Sequence, residues 1–371
     1  MAAPSVIPTQ RLYSLDSLRG FDMFWIMGGE QIFHALAKIT GASFFVAISE
    51  ELDHPPWHGF HFYDLIFPLF LFLAGVATPY AMAKELERGK TKQQLLAKVI
   101  KRGLILVLLG VIHNNGLEIQ PISEIRFGSV LGRIGLAYMF ANIIYLYTTQ
   151  RGQIIWFCSL LIGYWLMFLF GSAPGFANGD YTMEGNIASY LDRMIMPGKL
   201  YLKIHDPEGL VSTIPAIGTA LLGIYAGNLL KNSSITGERK ALQLVIMGVV
   251  SLALSAVWNI FFPINKNLWT SSFVLHVGGY SLILLALFYY IIDVKGIKRW
   301  AFFFSIIGMN SILIYMSGQF INWRYTTEAI FQWLLQLTGE PWNLLVFALC
   351  YVAVKWTFLY FMYRKNVFLR V

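Results

Sequence analysis

Residues 61–83 read "HFYDLIFPLFLFLAGVATPYAMA": after His61 and Asp64 the segment carries no charged side chain. A helix rises about 1.5 Å per residue and the hydrocarbon core of a bilayer is ~30 Å thick, so about 20 such residues cross it. Runs of this kind recur to the end of the chain. The 371 residues are 57% hydrophobic and 13% charged, and that charge content is about half the globular share. The expectation is an all-α polytopic membrane protein. It has about ten transmembrane helices, near 18–38, 61–83, 99–116, 129–148, 153–171, 212–230, 241–262, 269–292, 300–320 and 342–362.

Charge placement orients the bundle. With the N-terminus cytoplasmic, Lys38, Arg126, Arg193, Lys199, Lys203, Lys266 and Arg324 are the seven of the 28 Lys and Arg that fall on the far side. Arg133 and Lys355 lie within spans, and the remaining 19, Arg11 and Arg370 among them, fall on the near side. The positive-inside rule then puts both termini in the cytoplasm. The net charge of +8 is accounted for by topology, so the bilayer and not nucleic acid is the expected partner. Cys158 and Cys350 sit in apolar runs, which argues against a disulfide framework. The opening "MAAPSVIPTQ" lacks the order of a cleavable signal. The sequon at Asn232 falls in a cytoplasmic loop, where it is expected to be unused. Residues 1–371 read as one transmembrane domain, whose longest non-cytoplasmic loop covers about 172–211.

Ionisable groups inside spans are costly and mark function or buried pairing. Glu30 follows Gly28 and Gly29, with His34 one turn on; Asp64 opens the second span, Arg133 lies in the fourth and Lys355 in the tenth. Glu30 and His34 are read as lining a site, Asp64 and Arg133 as either a site or a helix-holding ion pair, and Lys355 as snorkelling toward the cytoplasm. His54, His58 and His61 crowd "DHPPWHGFH" (53–61). Their spacing is not that of a helical zinc pair, and Pro55-Pro56 forbids a helix between the first two. No metal is expected. A general base or nucleophile at the membrane edge fits imidazole better.

Six segments carry a resemblance: "SLDSLRGFDMF" (14–24), "DHPPWHGFHFYDLIFPLFLFLAG" (53–75), "RFGSVLGRIGLAY" (126–138), "HDPEGLVSTIPAIGTALLGIYAG" (205–227), "PINKNLWTSSFV" (263–274) and "DVKGIKRWAFFFSIIGMNSILIY" (293–315). In this order the chain resembles the heparan-α-glucosaminide N-acetyltransferase family. A bacterial-type member without the luminal domain of the animal proteins, placed in an inner membrane, is the expectation. The resemblance implies transfer of acetyl from cytosolic acetyl-CoA, a co-substrate, to the amine of a glucosamine-type sugar on the far side. It places the family's catalytic histidine at His54, before Trp57, Gly59 and "DLIFP", and leaves His58 and His61 to shape the substrate mouth. The family has an asparagine ten residues after its Arg-Gly pair, and here Glu30 stands at that count from Arg19-Gly20. A carboxylate donates no hydrogen bond unless protonated, so Glu30 is expected to orient His54 or bind an ammonium.

The basic run "ERGKTKQQLLAKVIKR" (87–102) offers Lys101 and Arg102 to the CoA phosphates, together with Arg19, Lys231, Lys240 and the intramembrane Arg133. Serving the positive-inside rule alone is the alternative for these. Asp64, Trp57, Asp206, Glu208, Asn265 and Asn310 are candidate acceptor contacts. Against that, Asp206 and Glu208 suit a helix cap, and Asn265 and Asn310 suit helix glue. Direct transfer and an acetyl-His54 relay both remain open, as does a homodimer. The rival functions are a secondary transporter of amino sugars and an acyltransferase of a cell-envelope polysaccharide.

Overall fold

The computed structural model describes residues 12–369; Arg11, Arg370 and the opening "MAAPSVIPTQ" lie outside the described residues. The described chain is helical, with one isolated antiparallel bridge between Arg126 and Gly198. Its helices are α1 (Tyr13–Phe24), α2 (Glu30–Thr40), α3 (Ser43–Glu51), α4 (Ile66–Glu87) and α5 (Lys92–Asn115). They continue with α6 (Val130–Tyr147), α7 (Gln150–Phe170), α8 (Ile187–Ile195), α9 (Thr213–Lys231) and α10 (Gly237–Asn259). The last five are α11 (Ser271–Tyr289), α12 (Ala301–Met309), α13 (Ser311–Phe320), α14 (Trp323–Thr338) and α15 (Asn343–Arg364).

Seven of these are long and apolar enough to cross a bilayer: α4, α6, α7, α9, α10, α11 and α15. The count becomes eight if α12 and α13, bent by 63° at Asn310, form one span. The expected spans 18–38, 99–116 and 300–320 thus do not appear as unbroken apolar helices. In the first, a π-helical turn at Trp25–Gly29 separates α1 from α2, and Gly28 takes φ 124°. In the second, α5 is continuous but carries Lys98, Lys101 and Arg102. Its start is fixed by reciprocal bonds between Thr91 and Gln94, a capping box.

The break after Trp25 also corrects the reading of Lys355. A π turn leaves a carbonyl without its usual partner, and buried Lys355 reaches across from α15 to donate to Met27 O at 2.9 Å. It does not snorkel.

Helices in lipid gain little from burying apolar surface against each other, so they pack where small residues let backbones approach. A Cβ on Gly75 of α4 would lie 2.1 Å from Ala220 O, and one on Gly223 of α9 would lie 2.0 Å from Phe72 O. The α1–α12 contact is equally close: Cβ atoms on Gly20 and Gly308 would meet Phe304 O at 1.7 Å and Asp16 O at 1.9 Å. These seams hold α1, α4, α9 and α12 as a rigid centre. Over one end lies the 172–211 loop with α8. Asp192 accepts from Val211 N at 3.0 Å within the loop, and Tyr181 ties the loop to its neighbours, its carbonyl accepting from Trp57 Nε1 at 2.8 Å and its hydroxyl donating to Phe261 O at 3.2 Å.

Candidate active site

His54 lies between α3 and the 3₁₀ turn Phe62–Leu65 that leads into α4. Pro55 and Pro56 keep the chain extended beyond it, and the imidazole is 49% exposed. Its Nδ1 is 2.7 Å from Oδ1 of Asp64, which is fully buried. The other oxygen of Asp64 accepts from His61 N at 3.1 Å, so the carboxyl is held at the turn by the backbone it caps. Lys266 Nζ lies 3.4 Å from Asp64 Oδ1. With donors around it, Asp64 acts as acceptor, so the His54 Nδ1 carries the shared hydrogen and Nε2 presents its lone pair. Lys266 Nζ is 3.2 Å from Nδ1 and 3.0 Å from Nε2 of His54. Near-equal distances to both nitrogens put the amine over the ring, not along either in-plane lone pair. Burial pushes the Lys266 amine below its ordinary value, against the opposing pull of Asp64 and Glu208.

Two cavities meet at this histidine. An inner one of about 700 Å³ runs from Arg19, Lys84 and Arg102 to His54, Glu208 and Lys266. It touches α4 from Ile66 to Lys84, eighteen residues or about 27 Å of helix, which is close to the hydrocarbon thickness. Its middle is apolar, with Phe67, Phe70, Leu106 and Ile134 in the wall. Its volume is of the size that holds a small-molecule ligand. An outer cavity of about 430 Å³ is bounded by Trp57, Asp64, Asn114, Arg126 and Asn267. His54, Val130, Glu208, Lys266 and Tyr315 line both.

Of the residues singled out from sequence, His54, Asp64, Trp57, Glu208, Arg19 and Arg102 stand on these walls. Arg102 lies flat on Tyr138, 4.6 Å from the ring centre. Several others are engaged elsewhere. Asp206 holds Arg126 through two bonds of 2.8 and 2.7 Å, and Glu208 takes the same guanidinium. Burial lowers the Arg126 pKa, but the two carboxylates outweigh it and leave the group raised. Buried Arg133 donates to Gly209 O and Ser212 Oγ and stacks 4.8 Å from the Trp269 ring; it fastens the 209–213 turn and does not face the inner cavity. Lys240 caps α9 at Leu230 O (2.7 Å) and Lys231 reaches Pro79 O (3.4 Å). Lys101 is exposed away from the cavity walls. Asn265 binds His58 and closes the turn at Leu268 N. Asn310 clamps the C-terminal segment through Val367 O (2.9 Å) and Leu369 N (3.1 Å).

Glu30 is not among the described residues lining either cavity; its Oε2 is buried without a hydrogen-bond partner. His34 pairs with Ser49 at 2.6 Å, not with Glu30. The three histidines do not converge, since His58 binds Asn265 and His61 reaches Asp53 O, and no metal-holding group occurs among the described residues. Lys266 and Lys84 were missed. The signal for Lys266 was its place inside "PINKNLW", next to Asn265, which was singled out.

A helical bundle with a cavity along one of its central helices, ending at a carboxylate-oriented histidine, defines a class: polytopic membrane proteins with an acid–base group where two chambers join. Within that class, the chain belongs to the family described as heparan-alpha-glucosaminide N-acetyltransferase, catalytic, whose sequence pattern matches residues 11–263. It is 27% identical over 416 residues to the heparan-alpha-glucosaminide N-acetyltransferase of Homo sapiens, covering 97% of this chain and 60% of that protein. The Mus musculus protein of the same name is 28% identical over 375 residues, covering 86% of this chain and 56% of that protein. The chain therefore spans less than two thirds of the length of these relatives.

Proposed function

We propose that this chain is a membrane acetyltransferase that carries acetyl from acetyl-CoA, seated in the inner cavity, to the amine of a glucosamine-type sugar in the outer one. The observation that carries the reading is the position of His54. It is oriented by Asp64 and stands where the two cavities join. Arg19, Lys84 and Arg102 at the far end of the inner cavity suit the CoA phosphates. The apolar middle suits the pantetheine arm. In this reading the α1–α2 and α12–α13 breaks and α5 complete ten crossings, with both termini on the CoA side and the His54 loop opposite.

The chemistry follows from the His54–Asp64–Lys266 arrangement. The sugar nitrogen attacks the thioester carbonyl while Nε2 of His54 takes the amine proton. A protonated Lys266 offsets charge on the carbonyl oxygen. Collapse breaks the C–S bond, and the thiolate recovers the proton from His54. In the relay variant Nε2 itself attacks the thioester carbonyl, the C–S bond breaks and CoA leaves as the thiolate, and the sugar amine then takes the acetyl group from the imidazole and gives up its proton to the thiolate or solvent.

Purified protein given labelled acetyl-CoA and glucosamine tests this. Wild type is expected to form N-acetylglucosamine, and His54→Ala to lose about 10²–10⁴ in rate while still binding CoA. Label retained on protein without acceptor selects the relay. A His54→Ala protein acetylating glucosamine at near wild-type rate would overturn the assignment.

A further inference from the structure

One face of α5 follows both cavities. Arg102 and Leu106 stand in the inner wall, and His113, about two turns beyond Leu106, stands in the outer one. The helix ends in "IHNNG" (112–116), and its last turn is braced against the 126–128 stretch. Asn115 Nδ2 donates to Arg126 O and its Oδ1 accepts from Arg126 N, each at 2.9 Å, while Asn114 donates to Gly128 O. The imidazole of His113 stacks on Tyr315 of α13, with ring centres 4.3 Å apart and planes 26° from parallel. Tyr315 lines both cavities, as His54 does, so the two histidines stand on one chamber.

The other charged groups that face this chamber are engaged with one another. His54 is held by Asp64, Arg126 is paired with Glu208, and Lys266 lies over the His54 ring. His113 forms no hydrogen bond or ion pair among the described residues. Its Nδ1 is buried without a partner, which leaves Nε2 as the nitrogen that a molecule in the outer cavity can reach. A buried polar atom left unpaired is uncommon and often belongs to a group that works in catalysis. Imidazole takes up and releases a proton within the physiological range.

The proton balance of the proposed transfer calls for such a group. An amino-sugar nitrogen holds its extra proton around neutral pH, as α-amino groups do, and an ammonium has no lone pair with which to attack. His54 takes the proton that the amine sheds on attack and returns it to the departing thiolate, so it ends the cycle as it began. The extra proton of the ammonium needs a second acceptor. We infer that His113 is that acceptor, a second base of the site. Its Nε2 takes the proton of the ammonium as the sugar enters the outer cavity and releases it to the compartment outside. The amine then meets the thioester with its lone pair free. The sum is the ammonium plus acetyl-CoA giving the amide, the CoA thiol and one proton. The inference rests on the acetyltransferase reading for the amine in the outer cavity.

The test is the pH dependence of kcat/KM for glucosamine in wild type, His113→Phe and His113→Gln. Phenylalanine keeps a ring against Tyr315 and glutamine keeps a polar group, but neither takes a proton. Both variants are expected to use only glucosamine that is already neutral in solution, so their kcat/KM falls about tenfold for each pH unit below the amine pKa. Wild type also uses the ammonium and falls less, so the gap widens with acidity and closes above the amine pKa. A gap that stays constant with pH, or no gap, overturns the inference, because a group that only shapes the cavity acts on ammonium and amine alike. CoA binding and the thermal midpoint identify a variant that has lost its fold. Placement is read separately on wild type without acetyl-CoA. Glucosamine is expected to block carbethoxylation of His113 by diethyl pyrocarbonate, mapped by mass spectrometry. Failure of the reagent to reach His113, or modification that glucosamine leaves unchanged, overturns the inference whatever the variants do. If no amino sugar is acetylated the enzymatic reading fails, and protection alone then decides whether His113 faces the ammonium.

Discussion

Asp64 gives His54 its direction. The 2.7 Å bond to Nδ1 sets both the tautomer and the plane of the ring. Asp64→Asn keeps the shape but offers an amide that can present either its oxygen or its nitrogen to Nδ1, so part of the population has the proton on the wrong nitrogen. The expected result is a fall in kcat of about 10²–10³ with CoA affinity unchanged; a variant with normal kcat would remove Asp64 from the mechanism. Lys266 predicts a pH effect. Burial pushes its amine below the ordinary lysine value, so its charge is present below that lowered pKa and is lost as pH rises through it. If the charge serves the reaction, wild-type kcat falls on the alkaline limb. Lys266→Arg, which keeps its charge, retains activity there; an identical alkaline limb in both proteins would exclude the role. The place of His54 on both cavity walls agrees with the expectation drawn from its position before "DLIFP". Lys266 was not legible, because it is 212 positions away in sequence and a loop lysine reads alike whether solvated or lodged over an imidazole. Arg133 is the converse case: an intramembrane guanidinium signals function, but its Nη2 donates to Gly209 O and Ser212 Oγ and the group stacks on Trp269, away from the inner cavity, with Nε and Nη1 left without a hydrogen-bond partner.

Among the elements, the apolar runs that became α4, α6, α7, α9, α10, α11 and α15 were visible because hydropathy averages over about 19 residues. The same averaging hides breaks. Gly28 and Asn310 each interrupt a run that reads as continuous, since one glycine or asparagine hardly changes the mean. Register at the seams is also invisible, because a helix glycine looks the same against lipid as against another backbone. The structure separates them. A Cβ on Gly308 would lie 1.9 Å from Asp16 O, whereas one on Gly163 of α7 meets nothing within 4 Å. Gly308→Ala must therefore push α12 off α1, and is expected to cost about 1–3 kcal/mol. Gly163→Ala gains up to ~1 kcal/mol of helix propensity. Thermal unfolding in one detergent should lower the first midpoint and leave or raise the second. Equal midpoints would mean that the α1–α12 seam is not close-packed.

For the whole molecule, the cavity along α4 decides what sidedness has to be. In the proposed transfer the inner cavity seats acetyl-CoA, which carries several phosphate charges and does not cross a bilayer, so its end bearing Arg19, Lys84 and Arg102 must open where the donor is made. The charge sort agrees, because the connection between α4 and α5 holds a dense part of the basic excess. On that proposal the 172–211 cap, with its outer cavity and acidic side chains, faces the opposite compartment. Exposed Lys92, in the first turn of α5, and exposed Ala177, in the cap, mark the two sides. In a background with Cys158 and Cys350 replaced by serine, Ala177→Cys should react with an impermeant maleimide in intact cells. Lys92→Cys should react only after permeabilisation. The proposed transfer allows no half-measure, since it needs His54 to be reached by donor and acceptor from opposite ends. Labelling of Lys92→Cys from outside would put the basic end of the cavity in a compartment without acetyl-CoA, and the transfer across the bundle would have to be abandoned.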